Sequence, residues 1–277
     1  MIYIYIMDRL KSIVNKDTIV SKILFLFVLL IGIVIFLRIV FYSMNLLSKN
    51  ENSPKLINGM VEAKNTIVIP QDPNSNGAIS IGKSRNEKNG IEFTWSVWIF
   101  IDDLQYLSDK YKNVFYKGIN HTNMSGVNGP GLYIAPNTNA LVVVMNTYSV
   151  INEEIHVPNI PLNKWVNVII RCENNKLDVF INGTITRSME LNGFPKQNYG
   201  DIYIAANGGF SGYISNLWYY NYALSTLEIS NLVKQGPNTT LASSMVNDKL
   251  SKYLSLRWYF YGSGNGYNPT HNLYEKS

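Results

Sequence analysis

The spacing of apolar residues divides the chain into two regimes. Residues 23–47 read ILFLFVLLIGIVIFLRIVFYSMNLL, with no charge from Ile23 to Leu37, then Arg38, then Ile39 to Tyr42. No polar stripe runs through this stretch, as it would on a core helix with one wet face. A helix needs about 20 apolar residues to cross the hydrocarbon of a bilayer. Residues 23–42 reach that length if Arg38 snorkels to an interface, where Tyr42 also fits. The pattern therefore predicts a transmembrane helix over 23–42. FYSMNLLSKN is a poor signal-cleavage site, so the segment is expected to stay as an anchor. Arg9, Lys11, Lys16 and Lys22 make 1–22 a basic flank, which predicts a cytosolic N-terminus with the bulk of the chain across the membrane. Residues 43–55 turn polar and read as a tether.

From residue 56 the period falls to two. In IEFTWSVWIFID, residues 91–102, Phe93, Trp95, Val97 and Ile99 share one face, and Glu92, Thr94, Ser96 and Trp98 the other. NTIVIP, NVFYKG and GPGLYIAP read as short strands bounded by glycine and proline. ALVVVMNTY is an apolar run too short for an ordinary helix, so it reads as a buried strand. In KWVNVIIRCENNKLDVFINGTITRS, Val166, Val168, Ile170 and Cys172 line one face. An Asn174-Asn175 turn leads to Leu177, Val179 and Ile181, alternating with Asp178, Phe180 and Asn182. Asn182-Gly183 is the preferred pair for a type I′ hairpin, because both residues tolerate positive φ. DIYIAA and GYISNLWYY complete the set. From residue 56 onward, many short strands with regular turns predict an all-β sandwich or barrel.

One short helix is expected after that. Ser225-Thr226-Leu227-Glu228 fits a capping box, with Leu224 and Ile229 at the positions of a hydrophobic staple. Leu227 and Leu232 are expected to pack it on the sandwich edge. On the preceding strand, simple alternation puts Ile214 with Asn216 and Trp218, opposite Tyr213, Leu217 and Tyr219. Crowded aromatics of this kind mark core and cross-strand packing more than a ligand platform. Residues 237–277 form an aromatic tail, with Leu254, Leu256, Trp258 and Phe260 in period two.

Charge and cysteine narrow the partners. Lys and Arg number 24 against 19 Asp and Glu, a mild excess of +5 concentrated near the N-terminus, which argues against nucleic acid. The single Cys172 excludes an intramolecular disulfide.

FSGYISNLWYYNYALSTLEISNL resembles the closing signature of laminin-G-like members of the concanavalin A-like lectin/glucanase superfamily. The likeness extends back through PLNKWVNVIIRCENNKLDVFINGT and GPGLYIAPNTNALVVV to FTWSVWIFI, covering roughly 60–236. It implies an all-β, two-sheet antiparallel jelly-roll sandwich over 56–236 and a recognition or adhesion module for glycan or protein. The wider superfamily includes glycoside hydrolases, which need two carboxylates flanking the bond. No Glu-x-Asp-x-x-Glu stretch is present, and adjacent Glu153 and Glu154 point to opposite faces of a strand, read as solvated charges. An enzyme is not expected.

Many laminin-G-like sequences carry an acidic residue after the glycine-led strand, where this chain has Ser215-Asn216, which disfavours an inherited calcium site. Asn128, Asn137 and Asn139 would supply only neutral oxygens. His121, His156 and His271 are too scattered for zinc. The candidate ligand residues are Tyr116, Asn120, His121, Asn123 and Tyr133, in a loop where aromatics adjoin amides. Asn120, Asn123, Asn182 and Asn238 match the glycosylation acceptor pattern. About one residue in eight is asparagine. That skew, with the absent disulfides and the anchor, also suits a scaffold linking membrane to shell in a large DNA virus; a degenerate glycosidase is the third reading.

Overall fold

The computed structural model describes residues 19–88, 90–122 and 124–242, with side chains of the first helix given for 22, 23, 25–41 and 43. The chain forms two compact units that divide after Ser53. The first contains α1 (Ile19–Asn52), 34 residues long. Its described apolar side chains are exposed, Phe25 to Leu37 among them, apart from the half-buried Val40. Among the described residues no helix is long and apolar enough to cross a membrane. The flank 1–18 lies outside the described residues.

The second unit is the expected all-β sandwich of two antiparallel sheets. In chain order the strands are β1 (Met60–Glu62), β2 (Ile67–Ile69), β3 (Arg85–Glu87), β4 (Gly90–Asp103), β5 (Lys112–Gly118), β6 (Gly131–Ile134) and β7 (Leu141–Met145). They continue with β8 (Glu153–Val157), β9 (Trp165–Asn174), β10 (Lys176–Ile181), β11 (Thr184–Glu190), β12 (Asp201–Ile204) and β13 (Ser211–Tyr220), and α2 (Thr226–Gln235) closes the fold. One sheet has the order β1-β13-β4-β9-β10-β11, with β3 also paired to β4; the other is β2-β12-β5-β6-β7-β8.

Alternation builds the interior. Phe93, Trp95, Val97, Ile99 and Ile101 of β4 face Val114, Phe115, Leu132, Ile134, Leu141 and Val143 of the opposite sheet. Trp95 stacks on Phe115 at 5.2 Å between ring centroids. Val166, Val168, Ile170 and Cys172 join from β9, and Leu177 and Val179 from β10, as the period-two pattern dictates. Thr184 pairs directly with Ile181, and Asn182 and Gly183 take φ of 51° and 81°. Positive φ at both central residues is what a type I′ turn requires.

Two expectations fail for local reasons. On β13 the register slips between Ser215 and Trp218, where Asn216 takes a φ of 50°. This bulge resets the alternation, so Ile214, Leu217 and Tyr219 all enter the core, while Tyr213 and Trp218 face outward. On α2 the capping box is present, with Glu228 N–H donating to Ser225 Oγ at 3.3 Å and Ser225 N–H to Glu228 Oε2 at 2.9 Å. Leu224 and Ile229 are buried together against Ile169 and Phe180, with Leu232 and Val233 beside them. Leu227, expected at the edge, is 70 % exposed. The staple, and not Leu227, is what seats the helix.

The short strands β1 and β3 went unread in the sequence. Of the tail, 237–242 is described: Met60 N–H donates to the Thr240 carbonyl and Ala242 N–H to the Met60 carbonyl, so 240–242 runs beside β1. Residues 243–277, with Leu254, Leu256, Trp258 and Phe260, lie outside the described residues.

Candidate ligand-binding site

The apolar face of β4 runs past the end of the core. Ile91, Phe93 and Trp95 continue toward its N-terminus, where Tyr219 of β13 lies alongside, with ring centroids 4.9 Å from Trp95 to Tyr219. On the other sheet the same end is formed by Lys117 at the end of β5 and Met145 at the end of β7. Between them lies a cavity of about 440 Å³. Its floor is aromatic and aliphatic; its mouth carries Lys83, Ser84, Lys196, Gln197 and Tyr199. Such an apolar interior with a few polar groups at the rim is typical of small-ligand sites.

Two loops frame the mouth and are held in place. Gln71 braces the first: its Nε2 donates to the Ile79 carbonyl at 2.9 Å, and Ile81 N–H donates to its Oε1 at 3.0 Å. Gln71 N–H in turn donates to Asp201 Oδ1 at 2.9 Å, tying the loop to β12. The second loop is latched by Lys117, whose Nζ donates to the carbonyls of Asn198 at 2.9 Å and Gly200 at 2.7 Å. Asn198 closes the ring by donating to the Lys117 carbonyl at 3.1 Å.

Lys117 faces inward and is 7 % exposed. Burial pulls its ammonium down to about 8, with Asp201 opposing the shift. Tyr219 donates or accepts at 3.2 Å with Ser84 Oγ, and burial pushes its phenol up to about 12. By contrast Tyr199 projects from the mouth, 90 % exposed. Among the described lining residues Asp72 is the single carboxylate against Lys83, Lys117 and Lys196. The cavity is therefore cationic at its rim.

The loop residues singled out from sequence sit elsewhere, on the outer face of the second sheet. Tyr116 and Tyr133 are both buried, packed with Val142, Val144 and Ala206. Tyr116 stacks between His121 at 3.9 Å and Tyr203 at 4.9 Å. Its hydroxyl donates to Asn120 Oδ1 at 3.4 Å and accepts from His121 N–H at 3.3 Å. Tyr133 donates to Asn128 Oδ1 at 2.6 Å. Four of the expected residues, Tyr116, Asn120, His121 and Tyr133, are thus brought together in a cluster bonded and stacked within itself and to Asn128 and Tyr203; Asn120 is exposed, and Asn123 lies outside the described residues.

Other candidates are placed as follows. Asn128 is buried and spends its amide on the carbonyls of Met124 and Gly126. Asn137 occupies a left-handed turn with φ 56°, and Asn139 donates to the Ile160 carbonyl. Ser215 Oγ is bonded to Asn238 rather than offered to a cation. Among the described residues no three His, Cys, Asp or Glu side chains cluster as a metal site. Of the sequons, Asn182 is exposed with its Oδ1 accepting from Asn167 N–H at 2.9 Å, and Asn238 is half-buried. Glu154 is within 3.2 Å of His156 at the surface. Glu153, expected in solvent, is buried: it accepts from Thr147 Oγ1 at 2.8 Å and from the Asn192 backbone and amide at 2.9 and 3.0 Å.

The cavity was missed because its floor reads as ordinary core and its rim lies in loops far apart in sequence. Lys117, a lysine on the core side of an alternating strand, was the one available signal.

Two antiparallel sheets with a cavity between them at one end define a β-sandwich with a candidate small-ligand site. A laminin-G family model, described as the concanavalin A-like lectin/glucanases superfamily, matches residues 73–230, more than half the chain, and the chain belongs to that superfamily. No curated protein matches it. Solved structures similar to it include the botulinum neurotoxin serotype D ligand binding domain in complex with N-acetylneuraminic acid, at 15 % identity and TM-score 0.46 over 69 % of this chain and 52 % of that one. The botulinum neurotoxin serotype G binding domain matches at 13 % identity and TM-score 0.45, over 67 % of this chain and 50 % of the other. The receptor binding domain of a C/D mosaic serotype matches at 13 % identity and TM-score 0.47, over 66 % and 45 %. The chain spans about half the length of these structures.

Proposed function

We propose that this protein is a membrane-anchored recognition module without catalytic activity, and that the end cavity takes the terminus of a glycan. The cavity itself carries the reading: an aromatic floor suits the apolar face of a sugar ring, and rim amides, hydroxyls and lysines suit its polar edge. Hydrolysis of a glycosidic bond needs two carboxyl groups about 5 to 10 Å apart across the substrate. Asp72 alone among the described lining residues cannot supply that pair. The anchor reading rests on the apolar run 23–42 and places the N-terminus in the cytosol with the sandwich on the opposite side. Full-length protein in lipid nanodiscs, applied to a glycan array and assayed for sugar release, tests both halves. Binding without turnover is expected; turnover overturns the non-catalytic reading. Stable membrane attachment with neither binding nor turnover would point instead to a scaffold, such as one bridging membrane and shell in a virus particle.

A further inference from the structure

Beside the cavity, two loops run together and hold apolar side chains out into solvent. Tyr148 N–H donates to the Phe194 carbonyl at 3.0 Å, and Thr147 and Pro195 form an isolated antiparallel bridge. From this paired tip Tyr148 is 73 %, Ile151 77 % and Phe194 56 % exposed, with Val150 beside them. The tip is braced from beneath. Buried Glu153 ties Thr147 to Asn192, and Thr147 Oγ1 accepts from Val150 N–H at 3.0 Å. Collapse onto the sandwich would break those bonds, so the apolar groups are held outward. Segments 146–152 and 191–199 contain no acidic residue, and Lys196 lies 5.6 Å over the Tyr148 ring. An apolar prominence carrying a tyrosine and a cation, without acid, matches the boundary between headgroups and acyl chains, where aromatic rings settle and anionic phosphates attract lysine.

We infer that this paired tip is a bilayer-contact site, in which Tyr148, Val150, Ile151 and Phe194 enter the interface of an anionic membrane and Lys196 meets its phosphates. The tip borders the cavity and shares Lys196 with its mouth, but its four apolar side chains are not among the residues that line the cavity. Its convex shape sets it off from a groove built for a folded partner, and every group in it can be satisfied by lipid.

The test uses full-length protein with one engineered cysteine carrying an environment-sensitive fluorophore, mixed with vesicles of phosphatidylcholine and about 30 % phosphatidylserine containing nitroxide-labelled lipid. Native Cys172 is buried and its thiol is pushed up to about 12, so it stays unlabelled. The fluorophore is placed at Ile151→Cys in the tip, at Leu227→Cys on α2 as background, and at Ile35→Cys in α1. Quenching at 151 several-fold above that at 227 is expected. Tyr148→Ser with Phe194→Ser should abolish the difference, and Lys196→Gln should weaken binding about five-fold. Equal quenching at 151 and 227 overturns the inference. A concentration-dependent blue shift at 151 without quenching also overturns it, by indicating a second copy of the chain. Quenching at 35 alone leaves the anchor standing and the tip refuted; quenching at 151 alone does the reverse.

Discussion

Two aromatic groups of this protein are built from largely buried rings and differ in what those rings border. Around Tyr116, the rings of His121 and Tyr203 stack on either side and Tyr133 packs alongside, with the Tyr116 and Tyr133 hydroxyls bonded to the Asn120 and Asn128 amides. Around Trp95, the rings of Phe93 and Tyr219 line a cavity that opens between braced loops. The first group has tyrosine, histidine and asparagine close in sequence, the usual look of a sugar site. The second has its members scattered over more than a hundred positions. Proximity in sequence reports which side chains can satisfy one another, and satisfied groups have little left for a ligand. An open site needs apolar surface that the fold itself leaves uncovered.

The sharpest way to break this contrast is at Trp95. Trp95→Ala removes a fully buried ring shared by core and floor, and should cost about 3–5 kcal/mol in denaturant-induced unfolding. A loss under 1 kcal/mol would mean that the floor is not part of the core. In the covered cluster, Tyr133→Phe leaves the buried Asn128 oxygen without its 2.6 Å donor and should cost about 1–3 kcal/mol, with no change in ligand binding.

Lys117 should leave a pH signature. Burial holds its folded pKa at about 8, below the ordinary lysine value of 10.5, so between these values the unfolded chain binds more protons than the native one. Stability should therefore rise from about pH 8 toward pH 10, by on the order of 2 kcal/mol. Above pH 10 the buried tyrosines act in the opposite sense: Tyr219 is held up to about 12, so the unfolded chain loses protons first and stability falls. In Lys117→Met the rise should vanish while the fall remains. The smallest effect is expected at Tyr116→Phe, about 1 kcal/mol, because its hydroxyl bonds are long, at 3.4 and 3.3 Å.

Much of the fold was legible in the sequence because strict local rules govern it. The alternation along 91–102, the Asn182-Gly183 turn and the Ser225–Glu228 capping box each depend on residues within a few positions. What escaped depends on distant partners or on one backbone torsion. The left-handed Asn216 reverses the faces of β13, and nothing in its neighbours distinguishes it from an ordinary strand asparagine. Glu153 looks like a surface acid until Asn192, far along the chain, is found donating to it. The cavity is harder still, since it exists only where Lys117, Met145 and Tyr219 converge.

The central claim is that ligand enters the open cavity and not the covered cluster. The most direct measurement compares glycan-array binding of the full-length protein with that of two surface variants, Lys83→Ala/Tyr199→Ala at the mouth and Asn120→Ala on the covered cluster. The mouth variant is expected to bind at least about ten-fold more weakly, a loss of about 1.4 kcal/mol, with Asn120→Ala unchanged. Loss of binding in Asn120→Ala with the mouth variant unaffected would contradict the account.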